Sequence, residues 1–225
     1  MGIRQQAFSI LEIVFTLSIV SVLSAVGVWS LTSTLADTRA RSAARSMADL
    51  LVLARGEAIR SGTPHLAFFG LDAAGAALTG AGGQPAAGVV IRDDNGDGLV
   101  DPDEIIAAIP LENSPTLAWG RALAGPTAAP DDKPGAGGSF ASSGVDFLCC
   151  SFTLPDGSSP ARWVAFLPDG TPRAFTTLPF SAGDIASGNG SIYLTSGSRD
   201  YAVVVAALGG VRLHAWNDGA SAWTR

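Results

Sequence analysis

The chain has 225 residues, of which 47% are hydrophobic and only 15% charged, with a net charge of −6. This composition excludes a disordered chain, and its acidity argues against a broadly basic nucleic-acid-binding face. The length suits one domain of ordinary size plus a membrane element.

The apolar run comes first. From Phe8 to Leu31 the sequence reads FSILEIVFTLSIVSVLSAVGVWSL, uncharged except for Glu12 and long enough as a helix to cross a ~30 Å hydrocarbon core. Only MGIRQQA, carrying Arg4, stands before it. A secretory signal would have a shorter run with cleavage after it, so the first reading is a single-pass anchor with Arg4 on the cytoplasmic side. An anchor alone leaves Glu12 without a reason. A carboxylate within such a segment costs about 2.5–3.5 kcal/mol and calls for a partner.

The string Ala7-Phe8-Ser9-Ile10-Leu11-Glu12 resembles the type IV prepilin motif. In that motif a short basic leader ends in a small residue, Phe opens the mature chain and Glu is its fifth residue. Ala7 stands where family members usually carry Gly. The resemblance implies that a prepilin peptidase cuts between Ala7 and Phe8 and N-methylates Phe8. It also implies that Glu12 attracts the Phe8 ammonium of a neighbouring pilin or pseudopilin in a filament. Opposite charges in a low dielectric attract strongly and relieve each other's burial. The expected location is the bacterial inner membrane, single-pass, with the C-terminal domain in the periplasm.

Beyond the apolar run, Ala40, Ala43, Ala44, Met47, Leu50, Leu51, Ala54 and Ala58 recur at three- and four-residue spacing, one apolar stripe expected to pack on the protein's own sheet. Asp37–Arg41 and Arg45–Asp49 are spaced for i,i+4 ion pairs on the solvated side, and Gly62 with Pro64 stops the helix. The segment LARGEAIRSG from Leu53 to Gly62 resembles the "ARSEAIRRG" signature of the GspH/FimT group, minor pseudopilins of type II secretion and minor pilins of type IV pili. Arg55 and Glu57 are read as a solvated helix face.

From His65 onward, Gly and Pro separate short apolar runs. The expected strands are His65–Phe69, Gly88–Arg92, Thr116–Trp119, Ser151–Leu154, Trp163–Phe166, Ser191–Thr195, Tyr201–Ala206 and Val211–Trp216. Gly120–Ser139 reads as a mobile surface loop. Cys149 and Cys150 are adjacent, and because successive strand residues face opposite ways, two unbridged thiols are expected. Phe166-Leu167-Pro168-Asp169-Gly170 is a turn by its Pro and Asp-Gly, and it is similar to the "F-x-P-x-G" turn of the GspH/FimT domain. Tyr201–Val205 with Gly209-Gly210-Val211-Arg212 resembles that family's last hairpin. Gly210 stands where DNA-binding relatives carry Arg, leaving Arg212 alone of the basic pair.

The expected fold is α+β, type IV pilin-like: a long N-terminal helix, transmembrane in its first half, packed on a C-terminal antiparallel β-rich domain. The expected divisions are a leader (1–7), a helix (8–61) and a periplasmic domain (62–225). The resemblance implies a non-enzymatic minor pseudopilin of the type II secretion pseudopilus, with a prepilin peptidase, other pseudopilins and a secreted substrate as partners. The alternative it leaves is a FimT-like minor pilin for pilus priming, adhesion or DNA uptake, with DNA disfavoured by the charge.

One acidic segment carries its own signal. Asp93 to Glu104 (DDNGDGLVDPDE) fits D-x-[DN]-x-[DN]-G-x₅-E at every specified position. In that pattern Asp93, Asn95, Asp97, Asp101 and Glu104 supply side-chain oxygens and Leu99 its carbonyl, a hard-oxygen set suited to Ca²⁺. The preceding run is strand-like rather than helical, so a solvated hairpin tip is the other reading. His65 and His214, far apart in sequence and without acidic or Cys companions at useful spacing, read as strand residues. Trp119, Trp163, Trp216 and Trp223 read as core or edge packing.

Overall fold

The computed structural model describes residues 10–110, 118–125, 127–132 and 149–225, with the side chains of 26–33 excepted. A single helix, α1 (Ile10–Ser61), runs about 78 Å at 1.5 Å per residue. It ends where the Gly62 amide returns to the Ala58 carbonyl at 3.1 Å, at the expected stop. Twelve strands follow: β1 (His65–Phe69), β2 (Ala86–Arg92), β3 (Ile105–Pro110), β4 (Ala118–Trp119), β5 (Trp163–Phe166), β6 (Pro172–Arg173), β7 (Phe175–Thr176), β8 (Ser181–Ala182), β9 (Gly190–Thr195), β10 (Asp200–Val205), β11 (Val211–Asn217) and β12 (Ala222–Thr224). They form two five-stranded sheets, ordered β3-β2-β1-β5-β6 and β12-β11-β10-β9-β4, and a β7-β8 ribbon. Every named pairing is antiparallel. The architecture is α+β, as expected.

The alanine-rich stripe of α1 holds the two sheets together. Ala40, Ala44, Met47, Leu50, Leu51, Ala54 and Ala58 are buried against Ala67, Phe69, Val90, Val164 and Phe166 of the first sheet and Ile192, Leu194, Tyr201, Val203 and Val205 of the second. Alanines at these positions let the helix approach both sheets closely, while Met47 and Leu51 fill the space between. Burying Met47 and Leu51 alone is worth about 1.5–3 kcal/mol each. Because both faces of β1 are covered, alternate residues feed two cores: Leu66 and Phe68 join Val89, Ile91 and Phe175 beneath the first sheet. Trp163 packs there against Phe68 and Phe175, and Trp216 and Trp223 meet edge to face at 5.4 Å.

Several expectations need correction. Asp37 does not pair with Arg41; its carboxylate accepts from the Tyr201 hydroxyl at 2.8 Å and meets Arg199 at 3.5 Å. Tertiary partners are better placed than a flexible helical neighbour. Nor is Arg45–Asp49 formed as an ion pair among the described residues. Ser151–Leu154 is not a continuous strand: only isolated bridges occur, Cys150 to Ile192 and Thr153 to Pro160, because Phe152 turns inward to stack on Phe69 at 6.2 Å. Cys149 and Cys150 are bridged to each other across a Cα separation of 3.8 Å. They lie outside regular strand, so the alternation that would set neighbouring side chains on opposite faces is not imposed there.

The described part of the expected mobile loop is pinned. Residues 121–125 and 127–132 lie over the outer face of the second sheet, where Ala129 packs with Tyr193, Ala202 and Val204. The buried Asp200 carboxylate accepts from the backbone amides of Ala122, Leu123 and Ala124 at 3.1, 2.7 and 2.8 Å. The Tyr193 hydroxyl donates to Asp132 at 2.5 Å and accepts from the Ala129 amide. Residues 133–139 of that loop lie outside the described residues.

Candidate functional site

Three places carry the residues singled out above: the exposed half of α1, the acidic loop, and the face of α1 around Arg55. In the first, Ile10, Leu11, Ile13, Val14, Phe15, Leu17, Ile19, Val20, Val22 and Leu23 are all exposed and have no partner in the domain. Glu12 sits in the first turn of the helix among them. The hydroxyls of Thr16, Ser18 and Ser21 bond back to the carbonyls of Glu12, Val14 and Leu17, which leaves this stretch nothing polar to present except Glu12. Ala7 and Phe8 lie outside the described residues. Among the described residues no helix is long and apolar enough to cross a membrane.

The acidic loop is the connection of the β2–β3 hairpin, not the middle of a helix–loop–helix unit. Its side chains fold onto its own backbone. Asp93 accepts from the amides of Gly96 and Gly98 at 2.8 and 3.0 Å. Gly98 takes φ +71°, a conformation in which a side chain would be strained. The Asn95 amide donates to the carboxylates of both Asp97 and Asp101 at 3.1 and 3.0 Å. Glu104 reaches back across the loop, one oxygen accepting from the amides of Asp94 and Asn95 at 3.0 and 3.2 Å. Its other oxygen is buried with no hydrogen-bond partner. Burial first, and then the neighbouring charges of Asp93 and Asp101, push the Glu104 carboxyl above its usual range, against the two amide bonds. Asp94, outside the expected ligand set, forms a two-pronged pair with Arg92 at 2.7 Å. The loop is moored below, where the carbonyls of Asp97 and Gly96 accept from Leu178 and Phe180. The structure thus joins Asp97 and Asp101 through the Asn95 side chain and ties Glu104 to the backbone of Asp94 and Asn95, whereas Asp93 is turned to shaping the loop. For Leu99, its amide bonds to Asp97 at 2.7 Å. Among the described residues no group of three or more His, Cys, Asp or Glu side chains is placed so that it could hold a metal ion.

At the third place Arg55 departs from the expected solvated helix face. Arg55 donates through Nε to the Gly170 carbonyl and through Nη1 to the Gly209 carbonyl, both at 3.0 Å. One guanidinium therefore staples α1 to two hairpin turns, that between β5 and β6 and that between β10 and β11. The turns touch under it. A Cβ on Gly209, at φ +83°, would collide with the Gly170 carbonyl oxygen and sit 3.0 Å from Arg55 Nε. The signal was available: Arg55 lies four residues after Leu51 and three before Ala58, on the edge of the buried stripe. Glu57 does face solvent, paired with Arg60.

The histidines are strand residues. His65 Nδ1 lies 3.0 Å from the Thr63 carbonyl. His214, on β11, is buried, and burial holds its ring below the ordinary histidine range. Arg212, the surviving member of the hairpin's basic pair, is engaged with Asp131.

The model of the family described as type II transport protein GspH matches residues 43–209, which span the stapled half of α1, both hairpin turns and the acidic loop. No curated protein and no solved structure matches the chain.

Proposed function

Since the chain belongs to the GspH family of type II transport proteins, we propose that it is a minor pseudopilin, a non-enzymatic subunit of the type II secretion pseudopilus. On this reading the exposed half of α1 holds the protein in the inner membrane before assembly. It packs with neighbouring subunits afterwards, while the β-rich domain stands in the periplasm and meets other minor pseudopilins or the exported substrate. The observation that carries the reading is the division of α1. Its second half is buried in the domain, and the described side chains at its start, from Ile10 to Leu23, are apolar and exposed apart from short hydroxyls and the one charge at Glu12.

The assembly step follows from that charge. A prepilin peptidase would release the new amino group at Phe8, and the Phe8 ammonium of an incoming subunit would pair with Glu12 of its neighbour. In a low dielectric each charge removes much of the other's desolvation cost. Secretion is favoured over DNA uptake by a net charge of −6 and by the pairing of Arg212 with Asp131. Together these supply little of the phosphate attraction that dominates DNA affinity.

Co-expression with a prepilin peptidase tests the reading. Intact mass should correspond to residues 8–225 with a methylated Phe8, and Glu12→Ala should still insert, since losing a charge eases burial. The same variant should lose cross-linking to neighbouring pseudopilins. An unprocessed chain, or normal filament incorporation of Glu12→Ala, would refute it.

A further inference from the structure

We propose that Arg162 and Trp119 form a receptor for a carboxylate at the seam between the two sheets, to be filled by an acidic side chain of a partner protein or by a small free acid. The frame around it is fixed by backbone bonds. Arg162 directly precedes β5, and its carbonyl accepts from the Phe69 amide at 2.9 Å where β1 ends. The next residue on that side, Gly70, is tied to the Ala87 carbonyl at 2.9 Å. Trp119 comes from the other sheet: it ends β4, pairs with Leu194 of β9 and packs against the core. Gly70 has no side chain, and the space where one would begin is bordered by both donors. A Cβ there would stand 3.5 Å from Arg162 Nη1 and 3.7 Å from Trp119 Nε1.

Neither donor is used within the described residues. The Arg162 guanidinium and the Trp119 indole N–H make no hydrogen bond or ion pair there. Arg92, Arg173, Arg199 and Arg212, by contrast, each meet a carboxylate. Arg162 is partly buried, and burial pulls its guanidinium below the ordinary arginine range with no neighbouring carboxylate to oppose it. A cation that has shed part of its water without gaining an acceptor sits at a cost that an anion would remove.

The donors also say which anion. A guanidinium offers N–H groups in one plane, matched to the two oxygens of a carboxylate, and the indole adds a single neutral N–H. One positive charge balances a monoanion. A phosphate dianion would keep uncompensated charge beside a chain whose net charge is −6. An acidic side chain of a protein gains further from this pair, because Trp and Arg are the residue types that most often anchor protein interfaces.

The site is independent of the pseudopilin reading, so either can fail without the other. The test uses the full chain in detergent micelles with isotope-labelled tryptophan, so that each indole N–H gives its own magnetic-resonance signal and Trp119→Phe assigns that of Trp119. Sodium propionate, a blocked tripeptide with a central aspartate, and inorganic phosphate are titrated separately at constant ionic strength. Propionate should move the Trp119 signal saturably, with half-saturation between about 5 and 100 mM, and leave the remaining indole signals in place. Arg162→Gln should weaken that response at least about tenfold, and Arg162→Lys, which keeps the charge without the fork, by less. Tripeptide binding at least about threefold tighter than propionate assigns the site to an acidic side chain of a protein, and equal binding assigns it to a small free acid. If Arg162→Gln does not fold, the wild-type titration against sodium chloride decides. A Trp119 signal that stays in place at about 200 mM propionate, that moves equally in the Arg162→Gln chain, or that saturates at less phosphate than propionate, would overturn the proposal.

Discussion

Replacing Arg55 with Ala tests what the helix signature does. The guanidinium makes two bonds to backbone carbonyls, each at 3.0 Å. Hydrogen bonds from charged donors contribute about 1.5–3 kcal/mol each, but Arg55 is half-buried, and solvent screening trims the upper end. A loss of about 2–4 kcal/mol is therefore expected, out of roughly 5–15 kcal/mol for a whole domain. For a chain of this size that lowers Tm by about 5–15 °C. Lys keeps the charge but has no fork to span both turns, so Arg55→Lys should recover about half of the loss. Gly209→Ala attacks the same junction from the other side, through a collision with the Gly170 carbonyl and a left-handed backbone. Combined with Arg55→Ala it should cost less than the sum of the two, as coupled neighbours do. Near-ultraviolet circular dichroism melts of the full chain in micelles measure all four proteins. A shift below about 2 °C for Arg55→Ala, or full additivity with Gly209→Ala, would refute the staple.

Asp200→Ala removes the acceptor of three backbone amides and should cost about 2–4 kcal/mol. Proteolysis should then cut first within residues 121–132; unchanged protease resistance there would show that the apolar cover of the sheet suffices. His214 supplies a pH dependence. Burial holds its folded value low, aided by Arg225 and Arg212 and opposed by Asp131, so the unfolded chain takes up the proton first. Its contribution is complete above the unfolded value of about 6.5 and is lost as pH falls toward the folded value. Between about pH 7.5 and pH 5, the wild-type chain should lose more Tm than His214→Leu; equal slopes would remove His214 from the account.

What was legible in the sequence was whatever rests on periodicity and punctuation. The stop at Gly62 and the strands His65–Phe69 and Trp163–Phe166 agree with the structure to the residue, and the alanine stripe agrees except at Ala43, which is only partly buried, because burial on regular elements repeats at a fixed spacing. Short strands without a run of β-formers escaped: Pro172–Arg173 and Ala222–Thr224 are strands only because a neighbour already offers its edge. Ile105–Pro110 was hidden by the acidic loop before it, although its burial alternates residue by residue. Polar contacts at long range were the least legible. Nothing near Asp200 in the sequence announces that it will hold Ala122–Ala124, and Asp37 looked committed to Arg41 until β10 brought Tyr201 within reach. In the acidic loop the spacing marks the residues that shape the turn, but the direction of each carboxylate, such as Asp93 onto the Gly96 and Gly98 amides, is not encoded in spacing.

The staple and the divided helix belong to one argument. On the pseudopilin reading proposed above, a helix of about 78 Å would serve two environments, and load would enter through the half packed in the filament. In a stripe made mostly of alanine, only Met47, Leu50 and Leu51 are bulky enough to interdigitate with the sheets. Arg55 supplies what the stripe lacks. It fixes the axial position of α1 against both sheets at once, through turns that belong to different sheets and meet beneath one guanidinium. Asp37 adds a second tie near the start of the buried half, to Tyr201 and Arg199 at the start of β10. With ties at both ends of the buried half, α1 is held to the sheets at two separate levels, so on that reading displacement of the filament half would move the domain with the helix and not slip in the core.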